Sequence, residues 1–188
     1  MKLLFSSLAL AAVLASPAAL AAPQVALQTS MGRIVLELDD ARAPGTVANF
    51  LQYVREGHYD GTVFHRVING FMIQGGGMTA DMKEKPTRPG IRNEASNGLK
   101  NTAYTVSMAR TPDPHSASAQ FFINVADNDF LNYREPTTRG WGYAVFGKVV
   151  QGKEVVDKIK AVPTTTRGQN EGVPLQPIVI QKAEVLNK

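Results

Sequence analysis

Residues 64–76 read Phe-His-Arg-Val-Ile-Asn-Gly-Phe-Met-Ile-Gln-Gly-Gly. β-branched and aromatic residues surround an Asn-Gly pair, a pattern that predicts two strands joined by a tight turn. Arg66 lies inside the first of these strands, where a charged side chain is unusual among β-branched and aromatic residues. By composition alone, the favoured interpretation is a surface arginine in water, with glycines that merely permit sharp turns.

Two turns are compatible with the Asn-Gly pair, and they place Arg66 differently. A two-residue turn would pair Ile68 with Phe71 and would set Arg66 and Gln74 on opposite faces of the hairpin. A three-residue turn over residues 69–71 would instead pair Arg66 with Gln74 and free Phe71 from the ladder. We predict the three-residue turn, since it brings the two polar side chains together.

Further strands are predicted on both sides of this hairpin, because short β-rich runs bounded by turn residues recur along the chain. The predicted strands lie at residues 25–29, 34–38, 62–68, 72–74, 104–109, 120–125, 144–150 and 177–185. The polar stretch 79–102 is long for a connection without structure of its own, and such loops are usually functional or disordered.

Two amphipathic helices are predicted to cover the open sides of the sheet. The first begins near Pro44 and ends at Gly57, and the second spans about residues 152–161. Their apolar faces carry Val47, Phe50, Leu51 and Val54 in the first helix and Val155, Val156 and Ile159 in the second. Eight short strands and two helices predict a mainly β fold, a closed eight-stranded barrel capped by two α-helices.

The first 21 residues differ from the remainder and resemble a signal peptide. Lys2 supplies a short positive start, residues 3–14 are almost entirely apolar, and residues 19–21 offer the small residues of a cleavage site. A membrane anchor fits less well, because the apolar part is shorter than the roughly 20 residues that a spanning helix needs. We predict a signal peptide over 1–21 and a single domain over 22–188, which is exported with cleavage of the signal.

Composition excludes several classes of protein. The chain has 188 residues and no cysteine, so an exported form has no disulfides and depends on one hydrophobic core. Its formal net charge is +4, or +3 without Lys2, and both signs are interspersed. A nucleic-acid-binding protein would more often carry a basic stripe interleaved with aromatic residues, so nucleic acid is not a predicted partner.

Residues 64–76 resemble the signature of cyclophilin-type peptidyl-prolyl cis/trans isomerases, and the resemblance continues through 104–110, 118–124 and 143–149. It covers essentially the whole mature chain. With the signal peptide, the sequence is most similar to the periplasmic cyclophilins of Gram-negative bacteria, which implies a periplasmic location. The resemblance implies an antiparallel eight-stranded barrel and rotation about X-Pro bonds in exported proteins that are folding, without a cofactor or metal. A monomer is the expected state.

The resemblance also implies a role for particular residues. It makes Arg66 and Gln74 catalytic. The substrate-binding residues that it implies are Phe71, Met72, Ala109, Arg110, Gln120, Phe122, Phe130, Leu131 and Tyr143.

This sequence departs from the common family pattern at the rim of the groove. Arg110 stands where many members have asparagine, and Tyr143 where many have histidine. Phe130 replaces the tryptophan of cyclosporin-sensitive members, so the resemblance does not imply sensitivity to cyclosporin. The apolar character of the implied proline pocket is retained.

Two functions other than isomerisation are compatible with the sequence. The groove could bind X-Pro segments as a chaperone without turnover, or a barrel could hold a small apolar ligand inside. Asp113, His115 and Ser116 are too crowded to favour a hydrolase triad. The histidines, at 58, 65 and 115, are too widely spaced for a metal motif. For His65, a structural role and a place in the groove stay equally open.

Overall fold

The computed structural model describes residues 21–186, so the predicted signal peptide lies outside the described residues except for Ala21. Within this part of the chain there are ten strands and two α-helices. In chain order they are β1 (Gln24–Thr29), β2 (Gly32–Leu38), α1 (Pro44–Arg55), β3 (Thr62–Ile68), β4 (Met72–Thr79), β5 (Thr105–Met108), β6 (Phe121–Asn124), β7 (Val145–Gln151), α2 (Lys153–Lys160), β8 (Thr164–Arg167), β9 (Asn170–Pro174) and β10 (Ile180–Leu186).

Eight of the strands form one antiparallel sheet in the order β10-β1-β2-β7-β5-β6-β4-β3. The sheet is a strongly curled half-barrel with two helices, so the mainly β fold is confirmed, whereas full closure of the barrel stays a prediction. The segment just before β10 approaches β3, the strand at the other edge of the sheet, where the Phe64 N–H donates to the Ile178 carbonyl at 2.9 Å. Strands β8 and β9 form a separate hairpin that the sequence did not predict.

The β3–β4 hairpin has the predicted three-residue connection. Ile68 pairs with Met72 and Arg66 pairs with Gln74. The Phe71 N–H donates to the Ile68 carbonyl at 3.1 Å, which closes the turn. Gly70 adopts a φ of +75°, a conformation that side-chain-bearing residues rarely take. Because directly paired residues share a face of the sheet, Arg66 and Gln74 lie side by side.

The interior is filled by aromatic side chains from the sheet and α1. Phe50, Phe121 and Phe146 have no exposed surface, and the Phe50 ring lies 5.5 Å from Phe121 and 5.1 Å from Phe146. Tyr59 is also fully buried and donates its hydroxyl to the Ala119 carbonyl at 2.9 Å. Side chains therefore occupy the space that the hypothesis of an internal apolar ligand requires.

The long polar stretch between β4 and β5 is anchored to α1. The Arg88 guanidinium lies 3.6 Å from the ring centroid of Tyr53 and forms an ion pair with Glu56. The N–H of Ile91 donates to the Ala117 carbonyl at 2.8 Å. These contacts hold the stretch in place, so the structure disfavours the disordered alternative.

Glu94, from the same stretch, caps the N-terminus of α1. Ala43 stands at the N-cap position and has no side-chain acceptor. Instead the Glu94 carboxylate accepts from the backbone N–H groups of Gly45 (3.1 Å) and Thr46 (2.8 Å), and from the Thr46 hydroxyl at 2.6 Å. A carboxylate here satisfies free helix donors and interacts favourably with the positive end of the helix dipole. No helix in the described residues is long and apolar enough to cross a membrane.

We expect Glu94→Ala to lower the free energy of unfolding by about 1–2 kcal/mol, because it removes the carboxylate that caps the N-terminus of α1. Chemical denaturation measures this loss. Glu94→Gln, which keeps one acceptor oxygen, is expected to lose less. Glu154→Ala, in the first turn of α2, is the matched control and should change stability by a few tenths of a kcal/mol. Equal losses for Glu94→Ala and Glu154→Ala would contradict the capping role.

Candidate active site

Arg66 projects from β3 beside the β3–β4 turn. Its guanidinium carbon lies 6.0 Å from the ring centroid of Phe71. The side chain is partly buried, yet within residues 21–186 it forms no hydrogen bond or ion pair. A buried or half-buried arginine is normally paired, because removing its charge from water costs free energy. The unpaired donors are therefore available to a ligand.

An apolar cluster lies next to this guanidinium. Met72, Phe122 and Leu131 are buried together, and Phe71 and Tyr143 pack against them. They line a surface cavity of about 150 Å³, similar to the roughly 150 Å³ apolar cavity that can hold a benzene ring. The cavity is lined by Arg66, Phe71, Met72, Gln74, Ala109, Arg110, Phe122, Leu131 and Tyr143. The structure thus brings nine of the sequence-predicted site residues into one cavity.

The neighbouring strand β6 supplies the opposite wall, since Gln74 pairs directly with Phe122. Gln120 does not line this cavity, but its side-chain carbonyl accepts from the Gln74 amide at 2.9 Å. A Cβ added at Gly77 would overlap the Gln120 side chain. The glycines at positions 75–77 of β4 therefore do more than permit a bend. Gly77 leaves the space that Gln120 needs to accept from Gln74.

The rim of the cavity is held by aromatic and cationic side chains. Arg110 donates through Nε to the Gly142 carbonyl at 2.9 Å, and its guanidinium lies 4.6 Å from the Tyr143 ring centroid. Phe130 is 62% exposed and stacks on Phe71 with centroids 5.6 Å apart. Phe130 is therefore at the edge of the groove, outside the residues that line the cavity.

A buried polar network behind the cavity was missed by the sequence interpretation. The Asn101 side chain donates to the carbonyls of Leu131 (3.2 Å) and Tyr143 (3.3 Å), so it holds two walls of the cavity. Its carbonyl oxygen accepts from Ser107 at 2.7 Å and from Asn124 at 3.2 Å. Asn124 lies between the apolar residues Ile123 and Val125. A polar side chain at that position of a predicted strand is the sequence feature that could have indicated a buried hydrogen-bond network.

The network also reaches the turn that carries Phe71. The Asn128 side chain donates to the Phe71 carbonyl and to the side-chain oxygen of Asn124, both at 2.8 Å. Asn128 is only 3% exposed and Asn124 has no exposed surface. Buried polar groups that are fully hydrogen-bonded favour one arrangement of the chain, so the network stabilises the positions of the cavity walls.

His65 lies on β3 beside Arg66 but contributes to a different cavity. It is 6% exposed, and its buried Nδ1 has no hydrogen-bond partner among the described residues. Burial lowers the pKa of His65 to about 4, with the Val63 backbone opposing this effect. The imidazole is consequently uncharged at neutral pH, and it does not line the cavity that holds Arg66 and the apolar cluster.

The residues considered for a hydrolase are engaged in the loop itself. Ser116 donates its hydroxyl to the Asp113 backbone carbonyl at 2.7 Å, and His115 Nδ1 lies 3.1 Å from the Asn93 N–H. These bonds do not join a serine to a histidine and a carboxylate, as a triad requires. Across residues 21–186, no group of three or more His, Cys, Asp or Glu side chains could hold a metal ion.

Residues 24–185 match the family described as cyclophilin type peptidyl-prolyl cis-trans isomerase/CLD. The chain belongs to the cyclophilin family. It is 64% identical over 162 residues, 86% of this chain and 98% of the relative, to peptidyl-prolyl cis-trans isomerase cyp18 of Streptomyces antibioticus. It is 56% identical over 161 residues to peptidyl-prolyl cis-trans isomerase B of Escherichia coli strain K12, again over 86% of this chain and 98% of the relative.

Solved structures of cyclophilins have the same fold. The crystal structure of a cyclophilin type isomerase from Cryptosporidium parvum superimposes with a TM-score of 0.73 at 26% identity, over 89% of this chain and 99% of that chain. The family resemblance stated from residues 64–76 is therefore confirmed, and the protein is a peptidyl-prolyl cis-trans isomerase. Cyclophilins act on proline-containing polypeptides, which an open surface groove can admit.

We expect Asn101→Ala to lower the free energy of unfolding by about 3 kcal/mol, because several buried partners lose their hydrogen bonds. Since two cavity walls also lose their anchor, KM for a proline peptide should rise about tenfold, the effect of 1.4 kcal/mol, with a smaller change in kcat. Denaturation and isomerisation kinetics measure the two effects.

Asn97→Ala is the matched control for this change. The Asn97 side chain donates to the Val145 carbonyl at 2.9 Å and accepts from the Leu99 N–H at 3.0 Å, so it also makes structural bonds. Neither of these hydrogen bonds reaches a residue that lines the cavity of Arg66. Its substitution should lower stability and leave KM unchanged, and an equal rise of KM in both variants would argue against a positioning role for Asn101.

Proposed function

We propose that this cyclophilin accelerates rotation about X-Pro bonds in exported proteins that are folding, with Arg66 as the donor that stabilises the twisted transition state. The proline ring is held by Phe71, Met72, Phe122 and Leu131. The observation that carries the proposal is an arginine side chain that forms no hydrogen bond or ion pair within residues 21–186 and that opens onto the same cavity as an apolar cluster.

The chemistry requires no covalent step. Rotation of the amide breaks its conjugation, which costs about 18–20 kcal/mol and makes X-Pro isomerisation take tens to hundreds of seconds. In the twisted state the proline nitrogen regains a lone pair. A donor aimed at that nitrogen binds the transition state more tightly than the planar ground state. The guanidinium of Arg66 has several N–H donors in a fixed fork and a permanent charge, so it suits this role.

Gln74 and the apolar walls support the same step. Gln74 lies beside Arg66 in the β3–β4 ladder and is oriented by Gln120. From this position its amide can hydrogen-bond the peptide next to the proline. The twisted amide is less polar than the planar one, so apolar walls favour it relative to water.

The required acceleration is within reach of these groups. Shortening a hundred-second process to a millisecond is a factor of about 10⁵, or roughly 7 kcal/mol. A preorganised donor at a site of developing charge contributes roughly 3–4 kcal/mol. Orientation of the peptide and the apolar walls supply the remainder, and neither a metal nor a nucleotide is needed.

We expect Arg66→Ala to lower kcat/KM for a proline peptide by about 10²- to 10³-fold, the effect of losing one preorganised donor. Arg66→Lys keeps a positive charge but lacks the planar fork of guanidinium donors, so its activity should lie between those of wild type and Arg66→Ala. Arg92→Ala removes the same charge from an exposed position outside the cavity and should have the wild-type rate. Exchange spectroscopy on a peptide with one proline measures these rates.

Measuring the affinity for the same peptide distinguishes catalysis from chaperone-like binding without turnover. Arg66→Ala should still bind it, since the apolar walls are intact. If wild type and Arg66→Ala bind and isomerise the peptide equally, Arg66 is not the transition-state donor. If wild type binds without isomerising, the groove belongs to a peptide-binding chaperone.

Export to the periplasm is part of the proposal. Its support is the apolar stretch 3–14 with small residues at 19–21, together with a family match that begins only at residue 24. A monomer is supported by the surface: among the described residues, Phe130 and Leu175 are the exposed large hydrophobics. Phe130 borders the groove, so little apolar surface remains for a stable dimer.

We expect the full chain, produced in a Gram-negative host, to accumulate in the periplasm with Ala22 at its N-terminus. Cell fractionation and mass spectrometry of the intact protein measure this. Leu8→Arg places a charge in the apolar stretch and should retain the protein unprocessed in the cytoplasm, whereas Leu8→Ile should be processed normally. An unprocessed wild-type chain in the cytoplasm would contradict the localisation.

A further inference from the structure

A second cavity lies against the groove, on the far side of Arg66 from the apolar cluster. Its volume is about 320 Å³, and it shares two walls with the groove, Arg66 and Gln74. The remaining lining residues are His65, Met78, Gln120, Gln169, Asn170 and Glu171. A peptide held in the groove therefore borders this cavity wherever it crosses the Arg66 and Gln74 side chains.

The β8–β9 hairpin forms the outer wall of the cavity. β9 packs closely on β3, since a Cβ added at Gly172 would lie 2.8 Å from the Val67 carbonyl oxygen. Gly172 also has a φ of +70°, so a larger residue would be strained in two ways. Gln169 and Asn170 lie at the turn between β8 and β9. The packing of β9 on β3 places them across the cavity from Gln74 and Gln120.

The charges around the cavity are balanced. Arg66 contributes one positive charge and Glu171 one negative charge, while the buried His65 ring is uncharged at neutral pH. Most of the other lining side chains are amides that both donate and accept hydrogen bonds. An acidic side chain here would face Glu171, and a basic one would face Arg66. The lining consequently favours an uncharged polar side chain over either kind of ion.

We propose that this cavity is a second substrate subsite, which takes an uncharged carboxamide-type side chain from a residue that flanks the proline. The proposal rests on the proposed function, because it requires the proline to sit beside Arg66. Neighbouring Cα atoms are 3.8 Å apart, so a residue one or two positions from the proline reaches the cavity without leaving the groove. The subsite would make the enzyme selective for sequence around the X-Pro bond.

The experiment compares peptides that contain one proline flanked by alanines. At each of the two positions before and after the proline, one alanine is replaced in turn by Gln, Leu, Glu or Lys. Exchange spectroscopy gives kcat/KM for each peptide, and the readout is its ratio to the all-alanine peptide. We expect a ratio of about 5 for Gln at one position, the effect of one added neutral hydrogen bond, and lower ratios for Leu, Glu and Lys there.

The double variant Gln169→Ala, Asn170→Ala removes the outer amides, and the Gln ratio should then fall to about 1. Gln176→Ala, an exposed glutamine outside the cavity, is the matched control and should keep the wild-type ratio. Ratios near 1 for wild type at every position would overturn the subsite, and so would a Gln preference that survives the double variant. A preference for Glu or Lys would overturn the charge argument. Slow isomerisation of every peptide by wild type would instead mark a failure of the proposed function.

Discussion

The pairing of Ile68 with Met72 across a three-residue turn is the constraint on which the site depends. Side chains alternate between the two faces of a strand, so a shift of one residue in this ladder would turn β4 over relative to β3. Arg66 would then lose Gln74 as its neighbour. The guanidinium, the glutamine and the Phe71 wall lie together because the turn includes Phe71 and leaves it outside the ladder.

The sheet supplies the strands of the site, while the walls on its far side depend on buried amides. Leu131 ends a short 3₁₀ helix, Asp129–Leu131, and Tyr143 lies in an irregular segment; the backbone carbonyls of both accept from Asn101. A loop without such partners would need other groups to satisfy its buried carbonyls. The polar network therefore satisfies the buried carbonyls of segments outside the sheet, which lets these segments form apolar walls of the cavity.

Arg66 separates two environments that differ in polarity. One side of it is the apolar cluster of Met72, Phe122 and Leu131, and the other is the amide-lined cavity that β9 helps to form. Apolar contacts with a proline ring are not directional, whereas amide side chains orient a polar group through hydrogen bonds. A polypeptide bound across Arg66 would meet both, which links rotation about the X-Pro bond to the identity of the neighbouring residue.

Much of the fold could be predicted from local pattern. Both helices, the main strands and a tight turn near Asn69 and Gly70 follow from patterns within a few residues. The three-residue form of the turn was predicted from the pairing of Arg66 with Gln74, and family resemblance identified nine residues that line one cavity. The β8–β9 hairpin was missed because its residues 164–167 and 170–174 are largely exposed, so no alternation of apolar and polar residues marks them. The helix cap by Glu94 joins residues 48 apart, and nothing in the local sequence indicates such a partner.

Local sequence preferences are enough to predict the hairpin that carries Arg66, because strand and turn preferences act between near neighbours. Three features follow from the folded arrangement alone: Asn101 holds two cavity walls, the Arg66 guanidinium makes no hydrogen bond or ion pair within residues 21–186, and a second cavity adjoins it. These properties depend on which distant segments meet in space. Hydrogen bonds and charges act over a few ångströms of distance, whatever the separation of the residues along the chain.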